Sequence, residues 1–202
     1  MGEICQAYGV VIVSDEIHCD FTYPGHKHTV YASLGEKFAD HSIICTAPSK
    51  TFNLAGLQIS NIFISNSDVR RRFVRALNRT GYMSPNLMGI YAAQTAYEYG
   101  RPWMEALKAY LADNLEFVRS FVWEELPGIR LVEPEGTYLI WLDCSGLGYS
   151  DEELNYKVLN DAKLWLDEGS MFGEEGKGFQ RINIACPKSI LEEAMWRFKK
   201  LM

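Results

Sequence analysis

Positive charge is in short supply. Twenty lysines and arginines stand against 26 aspartates and glutamates, for a formal net charge of −6. No basic run is longer than Arg70-Arg71-Arg72, which excludes the concentrated cationic face that nucleic-acid backbones require. Long apolar runs are also missing: none approaches the ~18 residues of a membrane span, so no membrane partner is expected. The N-terminus, Met1-Gly2-Glu3-Ile4-Cys5, carries neither the charged nor the apolar region of a secretory signal. The cysteines number five, an odd count without CxxC spacing. That predicts free thiols in a reduced, cytoplasmic setting and argues against a disulfide scaffold. His26 and His28 form an HxH pair, but no cysteine or carboxylate stands at finger-like spacing, so no metal site is expected and both are predicted to be exposed. The stretch from Gly169 to Gly178 lacks GxGxxG spacing and is not a phosphate cradle of that kind.

What is present is a chain of 202 residues, 48% hydrophobic, enough for one sizeable core or two small domains. Ile4 to Tyr8 reads as the end of a helix, Gly9 as its stop, and Val10-Val11-Ile12-Val13 as a central buried strand. A buried strand so early predicts that the chain begins inside a domain. Cys19 to Asp40 reads as a surface excursion. Ser42 to Thr46 is a second buried strand, and Gln58 to Ser65 alternates as a third. Ser67-Asp68 caps a helix to about Asn78. Ser84-Pro85-Asn86 starts another, Leu87 to about Tyr99, whose small residues predict burial. After Gly100-Arg101-Pro102, a long helix from Trp103 to Leu126 carries Leu107, Leu111, Leu115, Val118 and Val122 on one side. Beyond Pro127-Gly128 the order is strand (129–132), strand (137–142), helix (to about Asp161), strand (164–166), strand (179–185), helix (to about Leu201). That order describes a small α+β lobe.

Three side chains stand out. Lys50 follows the 42–46 strand, and strand ends of an α/β sheet are where small ligands bind. A lysine there can form a Schiff base with a carbonyl carbon, although a lone lysine at a strand end is usually a solvated side chain. Asp15, in Ser14-Asp15-Glu16-Ile17-His18, ends the preceding strand at the same edge. Its carboxylate suits a cationic heterocycle, although such a stretch taken alone is more often a helix cap, with Ser14 or Asp15 bonding free backbone N–H groups. Arg181 is the sole charge in its strand. It reads either as a bidentate grip for a carboxylate or as an edge-strand arginine in water.

Four stretches carry a family resemblance: Ser14-Asp15-Glu16-Ile17-His18-Cys19-Asp20-Phe21; Ala47-Pro48-Ser49-Lys50-Thr51-Phe52-Asn53-Leu54-Ala55-Gly56-Leu57-Gln58; Pro134-Glu135-Gly136-Thr137-Tyr138-Leu139; and Phe179-Gln180-Arg181-Ile182-Asn183-Ile184-Ala185-Cys186-Pro187. In this order they resemble fold-type I pyridoxal phosphate enzymes of the class I/II aminotransferase superfamily. The resemblance is closest to the cystathionine β-lyase-like branch of cysteine-S-conjugate C–S lyases. It implies an α/β fold: the C-terminal part of a three-layer αβα cofactor-binding large domain (1–101), a long interdomain helix (102–126) and a small α+β domain (127–202).

By that resemblance Lys50 is the Schiff-base lysine and the proton shuttle at the substrate Cα. Asp15 pairs with the pyridine nitrogen of pyridoxal 5'-phosphate, and Arg181 binds the substrate α-carboxylate. Ser49 and Thr46 contact the phosphate. His18 stands where many relatives carry a tyrosine near the ring O3′, and Gln58 where many carry a basic phosphate ligand; both departures fit the lyase branch. Family members are about twice this length and homodimeric, so the chain is expected to be a C-terminal half with little activity alone. The expected reaction is β-elimination from a sulfur amino acid such as cystathionine, giving pyruvate, ammonia and a thiol. Transamination by the same residues, or a non-catalytic fragment that binds a complementary half, are the alternatives.

Overall fold

Two β-branched runs nucleate the first sheet. In the computed structural model, which describes residues 1–202, they belong to the first of two compact units, residues 1–105 and 106–202. Helix α1 (Gly2–Ala7) turns through Gly9, at φ 65°, into strand β1 (Ile12–Asp15). Helix α2 (Glu36–Ala39) precedes β2 (Ser42–Thr46), and the four-residue helix α3 (Pro48–Thr51) follows it directly. β3 (Asn61–Phe63), α4 (Ser67–Arg79) and α5 (Leu87–Tyr99) complete the unit. β1 pairs parallel with β2, Ile12 opposite Ser42 and Asp15 opposite Cys45, and β3 pairs antiparallel on the other side of β2.

Several expectations are corrected here. The 10–13 run is not buried on both faces. β1 is hydrogen-bonded only to β2, and Val13, on its open face, is 64% exposed. The third strand is three residues long, because Gln58 adopts a left-handed conformation (φ 50°) and closes a 3₁₀ turn before it. The cap of α4 is Asn66, whose side chain accepts from the amides of Asp68 and Val69; Asn at this position satisfies donors the helix cannot. Helix α5 is not buried. Only Gly89 and Ala93 are, while Leu87, Met88, Ile90 and Tyr91 are exposed. Its small residues mark a stripe of close approach instead. A Cβ on Gly100, just past the helix, would stand 2.4 Å from the Phe52 ring.

The second unit is built on α6 (Arg101–Glu125), whose first residues belong to the first unit. It continues with β4 (Arg130–Val132), β5 (Leu139–Asp143), α7 (Asp151–Asn160), β6 (Asp167–Glu168), β7 (Phe179–Asn183) and α8 (Lys188–Phe198). The sheet is antiparallel in the order β4-β5-β7-β6. Period-two alternation splits it into two faces. Ile140, Leu142, Gln180 and Ile182 are buried, as are the stripes Leu111-Leu115-Val118-Val122 of α6, Leu154-Val158 of α7 and Leu191-Met195-Phe198 of α8. The opposite face carries Trp141, Arg181 and Asp167 in register. Residues 164–166 are not a strand. The Leu164 amide closes the end of α7 on the Val158 carbonyl and so is unavailable to a ladder, and Trp165 is 94% exposed. No helix is long and apolar enough to cross a membrane.

One polar residue sits inside this apolar core. Asn114, fully buried in α6, donates to the carbonyls of Ile184 (2.8 Å) and Cys186 (3.1 Å), tying the helix to the segment after β7. Truncation would leave both carbonyls without a partner. Asn114→Ala is expected to cost about 2–4 kcal/mol, read as a shift of the urea-unfolding midpoint; a shift below about 0.5 kcal/mol would refute the assignment.

Candidate functional site

Parallel pairing brings the C-terminal ends of β1 and β2 to one edge of the first sheet. Asp15 closes β1 opposite Cys45, Thr46 is next, and α3 begins within two residues. Pro48 at the first helical turn is pre-set for helix geometry. Pro48 and Thr51 are buried, whereas Lys50 between them is exposed and engaged by no ion pair or hydrogen bond. No helix follows β1, so neither Ser14 nor Asp15 is a helix cap. Instead the exposed Asp15 carboxylate accepts from the Ile17 amide at 3.2 Å in a local turn. Burial pushes the Cys45 thiol upward, and the negative charge of Asp15 adds to the rise. Thr46 Oγ1 accepts from Asn61 Nδ2 at 3.5 Å, and Asn61 Nδ2 also donates to the Tyr97 hydroxyl at 2.8 Å. Ser49 and His18 are half-buried, with the His18 ring 6.2 Å from that of Phe21. Asp15, Thr46, Ser49 and Lys50 thus share one strand-end region, and His18 lies on the turn that leaves it.

The excursion after β1 is anchored by a residue the sequence reading passed over. Glu16, 4% exposed, accepts from Ser14 Oγ (3.1 Å), His28 Nε2 (2.9 Å) and the Tyr31 amide (2.9 Å). His28 is accordingly not a solvated side chain; it is half-buried against this carboxylate. Burial works to raise the Glu16 pKa, but the His28 hydrogen bond, the Tyr31 amide, Ser14 and the His28 charge outweigh it and hold the carboxyl below its usual range. The same excursion supplies Asp20, which accepts from Thr51 Oγ1 at 2.7 Å. A buried carboxylate needs such partners. Neither Glu16 nor Thr51 carries a sequence signal beyond adjacency to Asp15 and Lys50.

Arg181 lies in the second unit on β7, an inner strand between β5 and β6, which removes the edge-strand reading. Its Nε and Nη2 donate to Asp167 Oδ2 at 3.0 and 2.6 Å, and its guanidinium lies 4.5 Å from the centre of the Phe172 ring. Phe172 in turn meets Trp141 edge to face at 5.1 Å. Asp167 and the aromatic rings occupy one side and one face of the fork, while Nη1 makes no hydrogen bond. A planar fork held this way presents its remaining donors in a fixed direction.

A free primary amine, an anionic carboxylate and two hydroxyls at one sheet edge form a donor set that fits pyridoxal phosphate. The amine would meet an aldehyde, the carboxylate a protonated ring nitrogen, and the hydroxyls a phosphate.

The model for "Aminotransferase class I and II" matches residues 1–198. The chain is 43% identical to cystathionine beta-lyase PatB of Bacillus subtilis (strain 168), covering 98% of this chain and 51% of that protein. Among solved structures it resembles a PLP-bound putative aminotransferase from Clostridium difficile 630, with TM-score 0.96 and 40% identity over 99% of this chain and 52% of that one. It also resembles cystalysin from Treponema denticola, which contains a pyridoxal 5'-phosphate cofactor, with TM-score 0.95 and 36% identity over 99% and 51%. The chain spans about half the length of the relatives it matches.

Because its folded-state pKa is lowered, Glu16 contributes stability that is fully present above the unfolded value of about 4.3 and is lost as pH falls through the folded value. Glu16→Gln is expected to cost about 1–3 kcal/mol at pH 7 and to flatten the acid limb of stability against pH. An acid limb identical to that of the parent chain would refute the role given to Glu16.

Proposed function

Since the chain belongs to the class I and II aminotransferase family, we propose that it bears the cofactor lysine of a pyridoxal phosphate-dependent carbon–sulfur lyase acting on cysteine conjugates such as cystathionine. The observation that carries this reading is the parallel register that sets Asp15 and the unpaired amine of Lys50 at one sheet edge. The likeness to a cystathionine β-lyase supports the choice of reaction.

When bound, pyridoxal phosphate supplies an electron sink for the pair left at the substrate Cα. Lys50 would hold the cofactor through its amine and would be the base that takes the Cα proton. The Asp15 carboxylate would pair with the ring nitrogen and keep a proton on it. Ser49 and Thr46 would donate to the phosphate, and His18 would face the ring hydroxyl. The Nη1 side of Arg181 would bind the substrate α-carboxylate. The electron pair left by the Cα proton forms the Cα–Cβ double bond as the Cβ–S bond breaks; water then hydrolyses the released enamine to pyruvate and ammonia, and the thiolate takes up a proton.

Transamination is the second reading, favoured by the putative aminotransferase among the similar structures. It uses the same residues and differs in where the proton returns. The cytoplasm is the proposed compartment, since all five cysteines are free. Association with a second copy is supported by the exposed run Tyr82, Met83, Leu87, Met88 and Tyr91, an apolar surface of the kind interfaces cover.

The test is to supply cystathionine and pyridoxal phosphate to the protein bearing this chain and follow products. Pyruvate and thiol in equal amounts support the lyase, whereas keto acid with pyridoxamine phosphate would replace it with a transaminase. Lys50→Ala is expected to lower turnover by about 10²–10⁴-fold or more. Arg181→Ala is expected to raise KM for the amino acid while leaving a substrate lacking the carboxylate unaffected.

A further inference from the structure

We propose that the hydrogen bond from Thr51 to Asp20 is the device that positions Lys50, fixing the direction of its amine relative to Asp15. The inference rests on the reading of Lys50 as the cofactor lysine. Helix α3 has only four residues, too few to be stable by its own hydrogen bonds, so its orientation depends on what holds it. Up to Thr46 the chain is fixed by pairing with β1 and β3. Between Thr46 and the helix lies one extended residue, Ala47 at φ −156° and ψ 151°, and backbone rotation there would swing Lys50 away from the sheet edge.

Two contacts oppose that rotation. One is apolar: the Phe52 ring packs at 6.4 Å from Tyr97 and 5.9 Å from Trp103, with no room at Gly100 for a side chain. The other is polar: Thr51, with no exposed surface, donates to Asp20 Oδ2 at 2.7 Å. Thr51 and Lys50 are consecutive, about 100° apart around the helix, so holding Thr51 inward turns Lys50 outward. The polar contact returns to the segment that carries Asp15. Asp20 sits on the turn whose root is Glu16 and whose own amides close on Glu16 and His18 carbonyls through Cys19 and Phe21. The path Asp15, Glu16, Asp20, Thr51, Lys50 therefore ties carboxylate and amine together independently of the strand ladder. Asp20 and Thr51 are positioning residues; neither is assigned contact with substrate or cofactor.

The experiment uses the chain itself. Incubation with pyridoxal phosphate, borohydride reduction and peptide mapping give the labelling rate at Lys50 relative to the mean of the other lysines, while circular dichroism and thermal melting report the fold. The parent chain is expected to label Lys50 preferentially. Thr51→Val, which keeps the shape and loses the hydroxyl, is expected to reduce that preference about tenfold. Thr51→Ser is expected to retain it, and Asp20→Asn, which keeps an acceptor but no charge, to fall between. A Thr51→Val chain that melts lower but keeps the parent's labelling ratio would overturn the proposal. If that variant loses its fold, equal ratios in Asp20→Asn and Thr51→Ser would overturn it. No preference for Lys50 in the parent chain would instead sink the reading of Lys50 on which the proposal stands.

Discussion

The parallel ladder between β1 and β2 is the constraint on which the first unit depends. Two strands running the same way end at the same edge, so whatever follows each of them is delivered to a common place by the ladder itself. Asp15 opposite Cys45 sets this register, and a slip of one residue would turn every side chain of β1 to the other face. Antiparallel pairing would have put Asp15 and Lys50 at opposite ends of the sheet. The proposed chemistry asks for an amine and a carboxylate on one small ring, and the ladder brings the backbone that carries them to a common edge.

The ladder fixes only main chain, and the remaining freedom is removed by buried polar groups. Glu16 and Thr51 are the immediate neighbours of Asp15 and Lys50, and each is buried where its neighbour is exposed. A buried carboxylate or hydroxyl must find partners of defined geometry, so it orients the backbone more sharply than an apolar residue would. The exposed neighbour inherits that orientation. Buried groups that hold and exposed groups that reach alternate along the chain, and the alternation explains why the excursion 17–31 folds back on Glu16 through His28 and the Tyr31 amide.

Much of this was legible in the sequence. The 42–46 strand, the lysine after it and the long helix with its apolar stripe follow from β-branched runs, proline and helical spacing. The misread segments have a common cause. Period and composition register how apolar a segment is, but not whether its backbone groups are free or what packs on it. Residues 164–166 look like a strand until the Leu164 amide is spent on Val158. Helix α5 looks buried because glycine and alanine are small, yet smallness here serves close approach along one stripe while Leu87 and Met88 lie open. His28 looks solvated because its loop is polar, and only the fold reveals the carboxylate that receives it. Glu16 was unreadable for the same reason: its partners lie 12 and 15 positions away in sequence.

Arg181 shows why a charged residue on an inner strand is tolerable at all. On the face shared with Ile140 and Ile182 it would be a buried, unpaired cation, costly enough to unfold the lobe. The alternation of β7 puts it on the other face, between Trp141 and Asp167 in register. There Asp167 neutralises it through Nε and Nη2, and Phe172 covers one side of its plane. Full neutralisation would make it useless for binding an anion. Asp167 engages one edge of a fork that has five donors, so the charge is stabilised on one edge while Nη1 makes no hydrogen bond. The side chain is thereby compatible with folding on an inner strand. Its carboxylate partner comes from β6, the strand whose position in the sheet the apolar run 164–166 had obscured.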